Sequence, residues 1–257
     1  MEVPGPVLDA ARSARRVVVV TGAGMSAESG VPTFRDAQTG LWARYAAEDL
    51  ATPEAWERDP AFVWAWYLSR FGSLAAVEPN AGHRAVATWA EVAGAESVAV
   101  VTQNVDDLHE RAGSPDVVHL HGSLASFRCS RCDTAYEGRV DVPDAGDAQP
   151  ERLDPPVCVE CGGLVRPGVV WFGELLPLDA WERAVAVVES ADLVLVVGTS
   201  GLVHPAAGLP VIGRGAGATV VEVNPHETDT SDVAHHLWRA TAAVALPALV
   251  QALAPTG

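Results

Sequence analysis

The most unusual omission in this sequence is lysine, which does not occur at all. All 17 basic residues of the 257-residue chain are arginines, and 33 acidic residues give a net charge of −16. We interpret the missing lysine as a codon bias without function. A nucleic-acid or anionic-membrane partner needs a basic face that displaces counterions. The composition therefore argues against both classes of partner and would favour a cationic one.

Long apolar runs are also missing. No segment reaches the roughly 20 apolar residues of a membrane span. Near the N-terminus, "ARSARRVVVVTGAGMS" places arginines before an apolar run, but that run is too short for a signal peptide. Cysteine is scarce, with four in the chain. We expect a cytoplasmic protein, in which these thiols stay reduced.

Short β-branched runs such as "VVVV" (17–20) and "DLVLVVGTS" alternate with segments of helical pattern. Helices are predicted over 7–16, 53–71, 83–94, 180–191 and 244–253. This alternation predicts an open parallel α/β sheet. Five predicted strands end in polar residues, with the sequences "TGAG", "TQNVD", "LHGS", "VGTS" and "VNP". Ligands of such sheets bind at the carboxyl ends of the strands, so we expect one crevice there.

The first strand end, "VVVVTGAGMSAESG", has the spacing G-x-G-x-x-A. Gly22 and Gly24 would let the backbone approach a pyrophosphate, and the N-terminus of a following helix would add donors and a favourable dipole. The acidic residue that a dehydrogenase carries about 20 positions later is absent. The motif predicts a phosphate or dinucleotide site, and a purely structural turn is the alternative.

Two C-x₂-C pairs, "CSRC" (129–132) and "CVEC" (158–161), are separated by 25 residues. Each pair can bind one Zn²⁺ through two thiolates, and two pairs complete a tetrahedron. The gap is longer than the common spacing of about 15–20 residues. A closed four-sulfur site has no open position, so it would be structural. Disulfides are the alternative.

Polar residues with catalytic potential lie in "TQNVDDLH" and "VVHLHGSL". His119 and His121 lie two apart on a predicted strand, so their side chains would share one face, with His121 at the strand's carboxyl end. A histidine in a cleft is a candidate base, and a structural role is the alternative. For Asn104 and Asp106, the alternative is capping of the next helix.

The aromatic-rich segment "FVWAWYLSRF" (62–71) contains a possible anion clamp. Tyr67 and Arg70 are three residues apart and so lie on one helix face. A phenol beside a guanidinium can hold a carboxylate. Packing in the helix core is the alternative.

Taken in order, "GAGMSAESGVPTFRDAQTGLW", "TQNVDDLH", "HLHGSL", "CSRC…CVEC", "RPGVVWFGE", "VVGTS" and "VEVNP" resemble the sirtuin family of NAD-dependent protein-lysine deacylases, over roughly residues 15–250. "PTFRDAQTGLW" with "WYLSR" is similar to the class III group, whose members prefer negatively charged acyl groups. The resemblance implies an α/β fold, namely a Rossmann-like parallel sheet with helices on both faces plus a small domain. It places the Rossmann-like domain at 1–35, 84–125 and 166–257, a helical insertion at 36–83 and a zinc-ribbon insertion at 126–165, with NAD in the cleft between the domains.

The resemblance also implies a role for each motif. His121 matches the catalytic base, Asn104 would orient a water or ribose group, and Asp106 would help place the nicotinamide. The implied NAD contacts are Gly22, Ala23, Gly24, Ser26, Phe34, Arg35, Gln103, Asn104, Val105, Asp106, His121, Gly198, Thr199, Ser200, Asn224 and Ala242. The implied ligands of one structural Zn²⁺ are Cys129, Cys132, Cys158 and Cys161.

For the substrate, Tyr67 and Arg70 match the pair that reads the distal carboxylate of succinyl- or malonyl-lysine. The implied peptide-binding segment, which would pair with the substrate backbone as an added strand, contains Val170, Trp171, Phe172 and Gly173.

The implied activity is NAD-dependent deacylation of lysine that releases nicotinamide and O-acyl-ADP-ribose, with desuccinylase and demalonylase activity above deacetylase activity. The expected partners are acylated-lysine proteins or peptides, with no nucleic acid and no membrane, and we expect a monomer. Two rival hypotheses are an ADP-ribosyltransferase that uses the same cofactor pocket and a non-catalytic zinc-ribbon binding module.

Overall fold

The computed structural model describes residues 2–31, 47–142 and 151–255. Phe34 and Arg35, which the sequence predicts to contact the cofactor, lie outside these ranges. The chain divides into two compact units. The first contains Met1–Val31, Glu78–Leu120 and Pro177–Gly257, and the second contains Pro32–Val77 and His121–Leu176. The domain limits inferred from the sequence stay a prediction.

The first unit is built on a parallel sheet of six strands. These are β1 (Arg16–Thr21), β2 (Ser97–Thr102), β3 (Val117–His119), β6 (Leu193–Val197), β7 (Thr219–Val223) and β8 (His236–Trp238). Their order is β3-β2-β1-β6-β7-β8, and every neighbouring pair is parallel. The chain runs outward from β1 in both directions, which puts the topological switch point between β1 and β6. The predicted Rossmann-like parallel sheet is confirmed.

The central strands are buried on both faces, as their uniform β-branched sequences predict. Because side chains alternate along a strand, Val17 and Val19 join one core cluster, which also contains residues of α1 (Gly5–Ser13), α5 (Ala81–Ala93) and α9 (Ala242–Leu253). On the other face, a Cβ added at Gly213 of α8 (Leu209–Gly215) would meet side-chain atoms of Val194 and of Val188 in α7 (Leu178–Glu189). Helices therefore cover both faces of the sheet, as predicted.

Helix boundaries follow local signals. The remaining helices are α2 (Ala47–Leu50), α3 (Pro53–Arg58), α4 (Pro60–Ala75) and α6 (Leu108–Arg111). The single helix predicted over 53–71 is wrong, because α3 ends before Asp59, whose carboxylate accepts a hydrogen bond from the N–H of Phe62 and caps α4. Pro60 lacks an N–H and fits the first turn of that second helix. No helix within the described ranges is long and apolar enough to cross a membrane.

The second unit combines α2, α3 and α4 with an antiparallel pair, β4 (Gly122–Cys129) and β5 (Val165–Val169). Aromatic packing joins these parts, since the ring centroids of Trp64 in α4 and Phe127 in β4 are 5.4 Å apart. Arg152 donates two hydrogen bonds to Asp59, the longer 3.0 Å, which ties the segment before β5 to the start of α4.

A buried acid stabilises the β7–β8 side of the first unit. Glu222 on β7 is 1% exposed. Its carboxylate accepts hydrogen bonds from Arg239, Thr228 and Ser231. A buried charge is tolerated only when it is paired and hydrogen-bonded.

Replacing Arg239 with methionine should lower the free energy of unfolding by about 1.5–3 kcal/mol, since a hydrogen bond to a charged group contributes on that order. Arg16→Met is the matched control, because Arg16 pairs with Asp192 at the surface and such pairs contribute about 0–1 kcal/mol. Urea denaturation of both variants measures the difference. If both variants lost the same free energy of unfolding, the buried Arg239–Glu222 pair would not stabilise the protein more than the surface pair does.

Candidate active site and metal centre

The loops after β1 and β6 touch at the switch point of the sheet. The N–H of Gly24 donates to the carbonyl of Gly198 over 2.8 Å. A Cβ at Gly24 would lie 2.7 Å from the Cα of Gly198, and one at Gly22 would lie 2.8 Å from the Cβ of Thr199. Real Cβ atoms do not approach this closely, so glycine is required for the two loops to meet.

The loop after β1 is not the α-helix that the glycine motif predicts. Residues Ala23–Met25 and Ala27–Ser29 form two short 3₁₀ turns, and Gly30 ends the second with a φ of 90°. Two side chains tie this loop to other parts of the first unit. Asn80 donates from Nδ2 to the carbonyl of Met25, and Glu28 accepts hydrogen bonds from Thr241 and from the N–H of Ala243 at the start of α9. A ligand would therefore meet turn backbone here, without the dipole of a long helix.

Side chains from the strand ends cross between loops. Asn104, after β2, donates from Nδ2 to the carbonyl of Gly22 and to the Ser26 hydroxyl, both over 3.1 Å. Gln103 donates to the hydroxyl of Thr199 over 3.1 Å, and Asn224, after β7, donates to the Thr199 carbonyl over 3.0 Å. Four of the five predicted strand ends are thereby tied into one polar edge, and the single crevice stays a prediction.

Asp106 lies in the same edge and is buried. Its Oδ1 accepts a hydrogen bond from the N–H of Leu108, the first residue of α6, over 3.2 Å, whereas Asn104 bonds across to the β1 loop. The N-cap of α6 is Asp107. Burial raises the pKa of Asp106, although hydrogen bonds from Ser26 and Leu108 oppose the shift. Asp106 thus combines a structural bond with a carboxyl group that holds its proton more tightly than an exposed one.

The other predicted cofactor contacts of the first unit lie at strand ends or helix starts. Ala23 and Val105 are half-buried in the loops after β1 and β2. The carbonyl of Ser200, after β6, accepts a hydrogen bond from the N–H of Asp229 over 3.2 Å. Ala242 is the first residue of α9 and is buried.

His119 is the last residue of β3 and is held by two acceptors. Its Nδ1 lies 3.1 Å from the carbonyl of Asn104, and its Nε2 lies 2.6 Å from a carboxylate oxygen of Glu110. Burial opposes a charge on the ring, but the hydrogen bonds to Glu110 and Asn104 outweigh it and raise the pKa of His119. The ring therefore fixes the backbone of the Asn104 loop.

The sequence predicted that His121 ends a strand, but the structure does not place it there. The strand stops at His119, Leu120 and His121 form a turn, and β4 begins at Gly122. Gly122 has a φ of 71°, and a Cβ there would overlap the carbonyl oxygen of Gly168. The inference that His119 and His121 share a strand face therefore fails. The carbonyl of His121 accepts a hydrogen bond from the N–H of Val170 over 2.8 Å.

The predicted anion clamp lies on α4. Tyr67 is buried, and its hydroxyl oxygen accepts a hydrogen bond from Nε1 of Trp171 over 2.9 Å. Burial raises the pKa of the Tyr67 phenol and lowers that of Arg70. The guanidinium carbon of Arg70 lies 5.3 Å from the ring centroid of Trp66. The packing alternative thus holds for the ring of Tyr67, while its hydroxyl takes part in a specific polar contact.

The predicted substrate-binding segment is a turn rather than a strand. β5 ends at Val169, and the N–H of Glu174 bonds the carbonyl of Trp171 over 3.0 Å. The N–H groups of Val170, Trp171 and Phe172 donate within the second unit, to His121, Glu174 and Ala51 respectively. Gly173 has a φ of 87°. These three N–H groups are therefore already used, so they do not pair with an added strand in this conformation.

The four cysteines converge on one centre. Their sulfur atoms all lie within 4.8 Å of one another, with Cys129–Cys161 at 3.5 Å and Cys132–Cys158 at 3.8 Å. Tetrahedral zinc with Zn–S bonds of about 2.3 Å separates its sulfurs by about 3.8 Å. All four are free thiols, so the disulfide alternative is wrong. A Cβ at Gly163 would lie 3.0 Å from the sulfur of Cys129, so glycine leaves room for the cluster.

Comparison with known proteins gives a consistent picture. Residues 22–205 match the model of the Sir2 family. An NAD-dependent protein deacylase of Corynebacterium glutamicum is 50% identical over 96% of this chain and 94% of its own length. The NAD-dependent protein deacylase Sir2 of Mycolicibacterium smegmatis is 55% identical over 93% of this chain and 96% of its own. The chain belongs to the Sir2 family.

Solved structures agree with this membership of the Sir2 family. A crystal structure of a Sir2 homolog–NAD complex has a TM-score of 0.86 at 43% identity, covering 98% of this chain and 94% of that chain. A Sir2–p53 peptide–NAD⁺ structure has a TM-score of 0.79 at 31% identity, covering 96% of this chain and 97% of that one.

Sequence reasoning missed several side chains that shape this Sir2 member. His83 and His109 are buried with ring centroids 4.7 Å apart, and burial lowers their pKa values to about 4 and about 3, so both are neutral at physiological pH. Asn80 and His83 form a capping box at the start of α5. The sequence signal for it was the N-cap residue Asn80 alone, since the usual Glu or Gln is absent three residues later. Glu28 gave no such signal, because its partners are more than 200 residues away.

Cys158→Ser should remove the metal from this Sir2 protein and lower its melting temperature, because structural zinc contributes folding free energy directly. Ser130→Ala is the matched control, since Ser130 is an exposed residue within the first cysteine pair. Metal content per chain and thermal unfolding measure the effect. A Cys158→Ser protein that still holds one zinc per chain would exclude Cys158 as a ligand.

Proposed function

We propose that this chain is an NAD-dependent protein-lysine deacylase that prefers acyl groups ending in a carboxylate. Family membership and the names of the relatives support the deacylase activity. One observation carries the acyl preference, namely that α4 presents the Tyr67 phenol and the Arg70 guanidinium one turn apart. A phenol and a guanidinium offer donors to both oxygens of a carboxylate.

The residues at the strand-end edge fit NAD. The glycines at 22, 24 and 198 bring the loops after β1 and β6 together, and Asn104, Asp106 and Asn224 supply polar groups at the carboxyl ends of parallel strands. When bound, NAD supplies a glycosidic bond whose cleavage is coupled to removal of the acyl group. We assign the predicted cofactor contacts among the described residues of the first unit to this binding site, while the roles of Phe34 and Arg35 stay predictions.

The four thiolates fit a zinc ion that stabilises the fold. The backbone N–H groups of Arg131 and Gly163 lie 3.4 Å from the sulfurs of Cys129 and Cys161, as suits ligands that bear negative charge. Four sulfur ligands leave no open position for catalysis. Reduced cysteines also support our expectation of a cytoplasmic protein. A monomeric state stays a prediction.

We assign the role of general base to His121, which would accept a proton from a ribose hydroxyl. Imidazole is the side chain best suited to that transfer near neutral pH. Asn104 would hold a water or ribose group, and its position is fixed by bonds to Gly22, Ser26 and the backbone contact with His119. Asp106 would help to place the nicotinamide amide. Oriented dipoles in such a site stabilise developing charge.

Arg70→Met should lower kcat/KM for succinyl- and malonyl-lysine peptides, because the acyl carboxylate would lose a charged partner. The corresponding loss of transition-state stabilisation should be about 2–5 kcal/mol. The acetyl peptide has no distal carboxylate and should lose much less. The control is Arg152→Met, since Arg152 also lies over an aromatic ring, that of Phe62, and pairs with an acid. An intact rate on succinyl peptide in Arg70→Met would refute the acyl preference.

His121→Tyr should abolish release of nicotinamide when NAD and acyl-lysine peptide are both supplied, because a phenol is a poor base at neutral pH. His226→Tyr, at an exposed histidine, is the matched control. Peptide mass spectrometry and nicotinamide release measure both variants. Full activity in His121→Tyr would show that His121 is not the general base. Transfer of labelled ADP-ribose to protein without formation of deacylated lysine would indicate an ADP-ribosyltransferase instead.

A further inference from the structure

The hydroxyl of Tyr67 has its orientation set by a neighbour. Indole Nε1–H can only donate, so the Tyr67 oxygen must accept at Trp171, over 2.9 Å. The phenol's own proton therefore points away from Trp171. A phenol held in this way presents its O–H as a donor, which is the polarity that a carboxylate requires.

Trp171 is itself clamped by Arg166 and Glu174. The guanidinium carbon of Arg166 lies 3.2 Å from the indole ring centroid, and a carboxylate oxygen of Glu174 accepts the backbone N–H of Trp171 over 2.8 Å. Trp171 is 2% exposed. The indole is thus fixed over its face by Arg166 and along its backbone by Glu174.

Arg166 and Glu174 form a two-point pair. Nη1 of Arg166 donates to Oε1 of Glu174 over 2.5 Å, Nη2 donates to Oε2 over 2.9 Å, and Nη2 also donates to the carbonyl of Val169. Burial disfavours ionisation of Glu174, but the hydrogen bonds from Arg166 and the N–H of Trp171 lower its pKa, so it is anionic at neutral pH. A bidentate pair fixes orientation as well as charge.

We infer that Arg166 and Glu174 are positioning residues for acyl specificity, acting through Trp171 on the hydroxyl of Tyr67. This rests on the proposed preference for carboxylate-bearing acyl groups. The pair neutralises itself, so it adds no net charge near the phenol. Its effect is to restrict Trp171 to the one position in which Nε1 reaches Tyr67, and so to keep the phenol preorganised as a donor.

The direct test is Trp171→Phe, which keeps an aromatic ring and removes the N–H donor. The ratio of kcat/KM for succinyl over acetyl peptide should fall by about 5- to 10-fold, the size that the loss of one neutral hydrogen bond gives. The fall should appear in KM for the succinyl peptide rather than in kcat. A general loss of structure would instead lower the rates on both peptides together and leave the ratio unchanged.

Arg166→Met and Glu174→Gln test the clamp, and both should shift the same ratio in the same direction. Arg166→Lys should restore it only in part, because lysine lacks the planar fork. Arg152, which has its own aromatic and acidic partners, provides the control. Arg152→Met should change the ratio by no more than about 2-fold, because an exposed ion pair contributes little free energy. Melting temperatures establish that each variant is folded, and if Arg166→Met unfolds, Trp171→Phe decides.

The outcomes separate this inference from the proposed function. A wild-type protein without preference for succinyl over acetyl peptide would overturn both. A wild-type preference that survives unchanged in Trp171→Phe and Glu174→Gln would overturn the positioning role alone. A lowered ratio in these variants, with Arg152→Met unchanged, supports the role.

Discussion

Contact between the loops after β1 and β6 is the constraint on which the strand-end edge depends. Gly24 and Gly198 approach so closely that neither position has room for a Cβ. The hydrogen bond between them fixes the β1 loop at the switch point of the sheet. Asn104 and Asn224 can reach across to these loops only because the loops are already adjacent. The polar side chains of this edge are therefore positioned by the backbone contact between the two loops as well as by their own hydrogen bonds.

Both units pair the polar groups that they bury. In the first unit, amide side chains after the strands bond to loop carbonyls, and the buried Glu222 is paired with Arg239. In the second unit, the buried Arg166 is paired with Glu174 and packed on Trp171. An unpaired arginine there would carry a large desolvation penalty, and pairing turns it into a rigid support. The acyl preference that we propose would depend on such rigid support, since a loosely held donor would distinguish acyl groups poorly.

Much of the fold was predictable from local sequence. The β-branched runs predicted the parallel strands, and the two C-x₂-C pairs predicted a four-sulfur cluster in which the histidines take no part. Among the local predictions that failed, three failed at identifiable backbone features. The helix over 53–71 breaks at Asp59 and Pro60, and the segment after Gly22 coils into 3₁₀ turns. The strand before His121 stops at His119, and a turn leads to Gly122 in a left-handed conformation. Each failure lies at a backbone feature that hydrophobic periodicity does not encode.

The sequence by itself determined which chemical groups this protein has and the order in which the sheet strands present them. It also determined the family, because the ordered motifs extend over nearly the whole chain. Only the tertiary structure decided which distant residues become partners. Trp171 bonds Tyr67 across 104 positions and Glu28 bonds the start of α9 across 215. Such pairs arise from how packed elements bring side chains within hydrogen-bond distance, and sequence spacing carries no record of that distance.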